Sequence, residues 1–116
     1  MPIDKKNKKN GNIAMLILGL LTDGDKYGYQ MIEELDKRSN HTFQLKAGTL
    51  YPLLHSLEQQ GYIEAYDGEP EKNRPRRYYK ITPKGYRHLE EMKKEWNTVS
   101  SAINSVLGGM KHAEQY

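Results

Sequence analysis

Cysteine is absent from this chain of 116 residues. That excludes disulfides and thiolate metal sites, and it fits a reducing compartment, so a cytoplasmic protein is expected. Phenylalanine and tryptophan occur once each. No apolar run approaches the roughly 20 residues of a membrane span. Leu, Ile, Val and Phe together make only 22 of the 116 residues. A low net charge, +3, and periodic apolar clusters argue against disorder. They leave a thin core for a chain of this size, one that a second copy would complete. The N-terminus is basic, but "IAMLILGLLTDG" after it has no small-residue cleavage site, so it reads as a folded helix and not as a leader.

Catalytic signals are also missing. His41, His55, His88 and His112 are scattered without metal-ligand spacing. There is no glycine-rich phosphate loop and no G-x-S-x-G. Glu33, Glu34, Glu58, Glu90 and Glu91 fall on helices, where solvated faces account for them. No enzyme, metal or cofactor is expected.

What is present is periodic. Residues 1–11 form a basic tail with Lys5, Lys6, Lys8 and Lys9. A first helix is expected from Asn12 to Leu21, a turn over "TDGDKYG", and a second helix from Tyr27 to Arg38. Phe43 and Leu45 alternate with polar neighbours as in a short strand. A third helix runs from Ala47 to Gln60, with Gly61 ending it. Tyr62–Tyr66 and Arg77–Ile81 read as two strands joined by a long loop rich in Gly, Pro and charge. Thr82 before Pro83 is an N-cap followed by proline, opening a last helix that Gly108-Gly109 ends. The fold expected is mainly α with a small β wing. It comprises a winged helix-turn-helix over residues 12–82, a C-terminal dimerisation helix over 83–109 and a tail over 110–116.

Three features carry function. On the third helix, Leu50, Leu53, Leu54 and Leu57 face the core, while Thr49, Tyr51, Pro52, His55 and Ser56 form an opposite face with no acid. Such a face suits the DNA groove, with Lys46 beside its start and Pro52 offering an apolar surface to a thymine methyl. The competing reading is a solvated face with a tolerated proline. Second, the stretch from Lys72 to Lys80 holds Lys72, Arg74, Arg76, Arg77 and Lys80 and no acid, a hairpin suited to DNA phosphates or a narrow minor groove. A solvated charged loop is the alternative. Third, Leu89, Met92, Trp96, Val99, Ile103 and Val106 are spaced 3, 4, 3, 4 and 3, a heptad seam that asks for a second helix. A symmetric dimer supplies one and matches an inverted-repeat DNA site. Trp96, mid-seam, is either an interface core residue or a stacking surface for a planar ligand.

The segments "GDKYGYQMIEEL", "GTLYPLLHSLEQQGYI" and "RPRRYYKITPKGYRHL" resemble the PadR family of transcriptional regulators. The resemblance runs from Ile13 to Leu107. Its motifs are Y-G-Y at Tyr27–Tyr29, T-L-Y-P at Thr49–Pro52 and R-R-Y-Y-x-I-T at Arg76–Thr82. It implies a homodimeric winged-helix repressor. The single short C-terminal helix resembles the small subgroup that includes multidrug-responsive regulators, in which a tryptophan on the last helix lines a pore between subunits and stacks flat aromatic drugs. By that resemblance Trp96 belongs to a ligand site, with Met92 and Val99 beside it. The longer C-terminal region of the phenolic-acid-responsive members is not present here.

Overall fold

The computed structural model describes the backbone of residues 2–113, and the side chains of that span apart from residues 2–11, Glu71 and residues 109–113. The side chains of the lysine-rich start, like residues 114–116, therefore lie outside the described residues.

Four helices and a three-stranded antiparallel sheet follow one another as α1 (Pro2–Leu21), β1 (Lys26–Tyr27), α2 (Gly28–Arg38), α3 (Ala47–Gln59), β2 (Ile63–Glu71), β3 (Arg74–Ile81) and α4 (Pro83–Ala113). The strand order is β1-β3-β2. This is the winged-helix arrangement expected, with a long C-terminal helix. The core lies where α1 crosses α2, α3 and the sheet. Ile17, Leu18, Leu21, Met31, Leu50, Leu54 and Ile63 are fully buried there, each contributing about 1.5–3 kcal/mol by leaving water.

The turn that joins α2 to α3 and the turn that follows α3 both close on residues with positive φ. After α3, the Gly61 amide donates to the Glu58 carbonyl and the Tyr62 amide to the Leu57 carbonyl, both at 3.0 Å, with Gly61 at φ 80. This is the paired 5→2 and 6→1 closure of a helix end. After α2 the same closure forms at Asn40 and His41, whose φ values are 51 and 68. There the His41 amide donates to the Asp36 carbonyl at 2.7 Å. At the start of α4, Thr82 Oγ1 accepts the Gly85 amide at 3.0 Å and donates to the Gly61 carbonyl at 2.7 Å. The Thr-Pro cap thus also joins α4 to the end of α3.

The structure departs from the sequence expectations in six places. Helix α1 begins at Pro2, not Asn12, because proline suits a first helical turn and the lysines that follow are good helix formers. The segment read as one turn contains β1, which pairs Lys26 and Tyr27 with Tyr79 and Tyr78. Phe43 and Leu45 form no strand; they lie half-buried against the core with no neighbouring strand edge to join. The wing strands run to Glu71 and from Arg74, so the expected long tip is a two-residue turn, Lys72-Asn73, with φ 53 and 63. That is the left-handed pair a tight hairpin requires. The prolines that suggested a loop sit at the register shift between Gly68 and Glu71 and opposite it, where a missing amide is tolerated. Helix α4 continues through Gly108-Gly109, since glycine weakens a helix without ending it. Finally, the sequence reading puts Pro52 within the first turn of the third helix, where its missing amide costs little, but it is the sixth residue of α3 and lies past that turn. Its ring faces the carbonyl of Gly48, a residue with open space around its α-carbon.

Candidate DNA interface

Helix α3 divides as its sequence suggests. Leu50, Leu54 and Leu57 are buried, and Leu53 is half-buried. Lys46, Thr49, Tyr51, Pro52, His55 and Ser56 are all exposed on one continuous face. The acid of this helix, Glu58, sits at its flank, with Oε2 at 3.7 Å from Arg77 Nη2.

Tyr51 does not simply project outward. Its hydroxyl and ring edge lie over the α-carbon of Gly28, where any added Cβ would collide with them. The glycine of the Y-G-Y motif therefore exists to let the third helix's tyrosine lie across the start of α2. Tyr51 is still 46% exposed.

Four of the five basic residues expected on the wing fall into distinct settings; Lys80, the fifth, is exposed. Lys72 and Arg74 are exposed at and beside the tip. Arg77 is bridged between Glu58 of α3 and, at 3.8 Å, Asp67 of β2. It also neighbours the Tyr79 phenol, whose proton is held above its ordinary value of 10.0, mainly by burial, with Arg77 opposing. Arg76 is half-buried, its guanidinium carbon 4.5 Å from the centre of the Tyr27 ring. On the same outer face of the sheet, Tyr78 meets Tyr27 edge-on at 5.5 Å and stacks on Tyr66 at 5.8 Å. Tyr66 donates a 2.6 Å hydrogen bond to Asp25, which raises the Tyr66 pKa. Gly68 lies under the Tyr78 ring, where a side chain would not fit. The sequence reading did not single out Tyr27, Gly28, Tyr66 or Tyr78 as site residues. The signal was in the Y-G-Y and R-R-Y-Y motifs, whose residues meet across β1 and β3.

The seam on α4 also divides. Leu89 is buried in the core of its own chain, and Met92 packs against that core. Beyond them Trp96, Val99, Ile103 and Val106 are 49%, 48%, 51% and 76% exposed, a stripe left uncovered among the described residues. Trp96 borders a groove of about 820 Å³ between α1, the end of α2 and α4, together with Met15, Leu16, Phe43 and Leu89. Met92 and Val99 are not part of that lining. Among the described residues no three His, Asp or Glu side chains cluster as a metal site, and no helix is long and apolar enough to cross a membrane.

Comparison with known proteins agrees with this architecture. The chain is 32% identical to "Transcriptional regulator Rv3488" of Mycobacterium tuberculosis over 86% of this chain and 87% of that protein. Among solved structures, a transcriptional regulator from Clostridium thermocellum superposes with a TM-score of 0.75 at 35% identity, covering 82% of this chain and 92% of that one. A PadR-like transcriptional regulator from Bacillus cereus gives 0.73 at 32% identity, covering 84% and 92%. The profile of the Transcriptional regulator PadR-like family matches residues 17–91, which include α2, α3, the wing and the start of α4. The chain belongs to the PadR-like family of transcriptional regulators.

Proposed function

We infer that the protein is a homodimeric repressor of the cytoplasm that reads an inverted-repeat operator. The observation that carries this is the exposed face of α3, from Lys46 to Ser56, which holds no carboxylate and stands beside a hairpin whose tip bears Lys72 and Arg74. Such a helix enters the major groove by its N-terminal part, while the basic tip follows the backbone. The exposed stripe from Trp96 to Val106 supports the dimer. A helix of 31 residues is about 46 Å long, and the apolar stripe of its second half is uncovered among the described residues. Two chains joined along that stripe present two α3 helices to half-sites roughly one helical turn apart. The test is equilibrium binding to duplexes selected from a randomised library. Enrichment of an inverted repeat supports the reading, and failure to bind duplex DNA refutes it.

Release of DNA by planar aromatic compounds is the second part of the reading, and the half-exposed Trp96 beside an apolar groove favours it. A flat ring stacked on Trp96, with Met92 and Val99 next along the seam, would favour one spacing of the two α4 helices. DNA affinity changes only by the ligand's preference between those spacings. Because Trp96 is the single tryptophan, its fluorescence reports binding directly. Flat aromatic dyes should quench it, and Trp96→Ala should lose dye binding while keeping DNA binding. A dimer in which dyes leave the fluorescence untouched has a closed centre.

A further inference from the structure

The start of α4 closes on the segment that ends α3. The Thr82 amide donates to the Tyr62 carbonyl at 3.1 Å, and Thr82 Oγ1 donates to the Gly61 carbonyl at 2.7 Å. Lys84 Nζ donates to the Gln60 carbonyl at 2.7 Å and stands 5.2 Å from the centre of the Tyr62 ring. Gly85 has no side chain to hold α4 away, and a Cβ there would collide with the Tyr62 carbonyl. One turn further on, the His88 ring lies parallel to the Tyr62 ring, with centres 4.0 Å apart.

Each contact has a local cause. Gln60 caps α3, and carbonyls at a helix end lack partners within the helix. The start of α4 supplies the donors, and the Lys84 ammonium also suits the negative end of α3. Tyr62 and His88 are both half-buried, and the stack covers a face of each ring. Together the contacts have a geometric consequence. A single contact would let one helix pivot on the other. Contacts from Thr82 to His88, spread over two turns, fix the direction of α4 against the end of α3 as well as its position. Trp96, where the exposed seam begins, lies about 12 Å beyond His88 on the same helix.

We propose that Thr82, Lys84, Gly85 and His88, closed on Gln60, Gly61 and Tyr62, are positioning residues that fix the spacing between the two DNA half-sites. The proposal rests on the reading above of a dimer joined along α4 on an inverted repeat. In that dimer the seam sets where the two α4 helices lie, and the junction makes each α3 follow its own α4. None of these residues belongs to the exposed face from Lys46 to Ser56 or to the tip of the wing. They act on the distance between half-sites and leave the choice of bases within each half-site alone.

The test compares the parent with a Lys84→Met, His88→Ala double variant on a library-selected inverted repeat whose spacer is lengthened or shortened by single base pairs. One base pair moves a half-site by roughly 3.4 Å and turns it by about 35°. The parent should lose roughly tenfold per step, because a rigid dimer must distort the DNA to fit. The double variant should lose clearly less per step while preferring the same bases, and His88→Phe, which keeps a stacked ring, should retain the parent's profile. The chain has no cysteine, so Gln59→Cys carries one spin label at the end of each α3. The label-to-label distance in the DNA-free dimer should be narrowly distributed in the parent background and broad in the double variant. Thermal unfolding and light scattering accompany each variant, and His88→Ala alone carries the test by the same criteria if the double variant does not fold. A double variant as spacer-selective as the parent assigns the coupling to the core around Leu89 and overturns the proposal, as does a parent indifferent to spacer length. A parent that dimerises but binds no duplex refutes the DNA-binding reading alone, and the label distances then decide whether the junction couples the helices. A monomeric parent refutes the dimer and the proposal with it.

Discussion

Arg77 Nη2 lies 3.7 Å from Glu58 Oε2, so a wing arginine is tied to the flank of the third helix. Both side chains are more than a third exposed, and the pair adds within about 1 kcal/mol to stability. Its larger effect is electrostatic. Glu58→Gln removes the acid at the flank of the proposed DNA face and leaves Arg77 with Asp67 alone. Affinity for any duplex should rise several-fold, and the log–log salt slope should steepen by about one unit. Fluorescence anisotropy at several salt concentrations measures both; unchanged affinity and slope would mean Arg77 is not held back by Glu58.

Two glycines should respond in opposite directions. A Cβ on Gly85 would meet the carbonyl oxygen of Tyr62, a backbone atom that cannot swing aside. Gly85→Ala should cost roughly 2–4 kcal/mol in denaturant unfolding. Gly48, inside α3, has open space around its α-carbon. Gly48→Ala should stabilise by about 0.5–1 kcal/mol, and a loss of stability in denaturant unfolding would contradict this.

Lys26 is a buried cation, its side chain 9% exposed, with Nζ 3.4 Å from Glu34 Oε2. Glu34 in turn accepts from Arg38, which donates to Asp23. The two ends of the Lys26–Glu34 pair are therefore unequal. Glu34→Gln leaves a buried ammonium without its counter-charge and should cost about 1–2 kcal/mol, reduced from a fully buried pair because Glu34 is 32% exposed. Lys26→Met leaves Glu34 with Arg38 and should cost less. Chemical denaturation of the two variants orders them, and a costlier Lys26→Met would contradict this account.

The tyrosines set the alkaline limit. Tyr79 is 5% exposed, and burial is the main cause that holds its pKa above 10.0. Its proton stays on in the folded chain at a pH where the unfolded chain has released it. The folded state therefore keeps its full advantage below about pH 10 and loses it as pH climbs through the raised value. Tyr66, hydrogen-bonded to Asp25, acts with the same sign. Tyr79→Phe should flatten the fall in Tm above pH 10. An unchanged fall would place the alkaline sensitivity elsewhere.

Much of this molecule was legible from periodicity. The leucines of α3 and the cap at Thr82-Pro83 obey local rules, and the structure places them as those rules require. The wing was harder because its hairpin turn is specified by two residues, Lys72 and Asn73, while Gly68, Pro70 and Pro75 around it resemble loop composition. The short β1 has no periodicity of its own; it exists only because β3 lies beside it. The candidate interface shows the same split. The polar face of α3 follows from spacing along one helix. The meetings of Tyr51 with Gly28 and of Arg76 with Tyr27 join residues far apart in sequence, so only the fold brings them together. The seam on α4 was visible as a repeat, but that the core covers Leu89 and Met92 and leaves Trp96, Val99, Ile103 and Val106 exposed depends on the fold.

The central claim is that two chains, joined along α4, bind duplex DNA. The most direct measurement is the mass of the complex by light scattering with a library-selected duplex, repeated across salt concentrations and for Ile103→Asp. The account predicts two chains per duplex, binding that weakens linearly in log–log salt, and loss of both dimer and specific binding in Ile103→Asp with the winged domain still folded. A single chain per duplex, or an Ile103→Asp variant that remains dimeric and binds as the parent does, would contradict it.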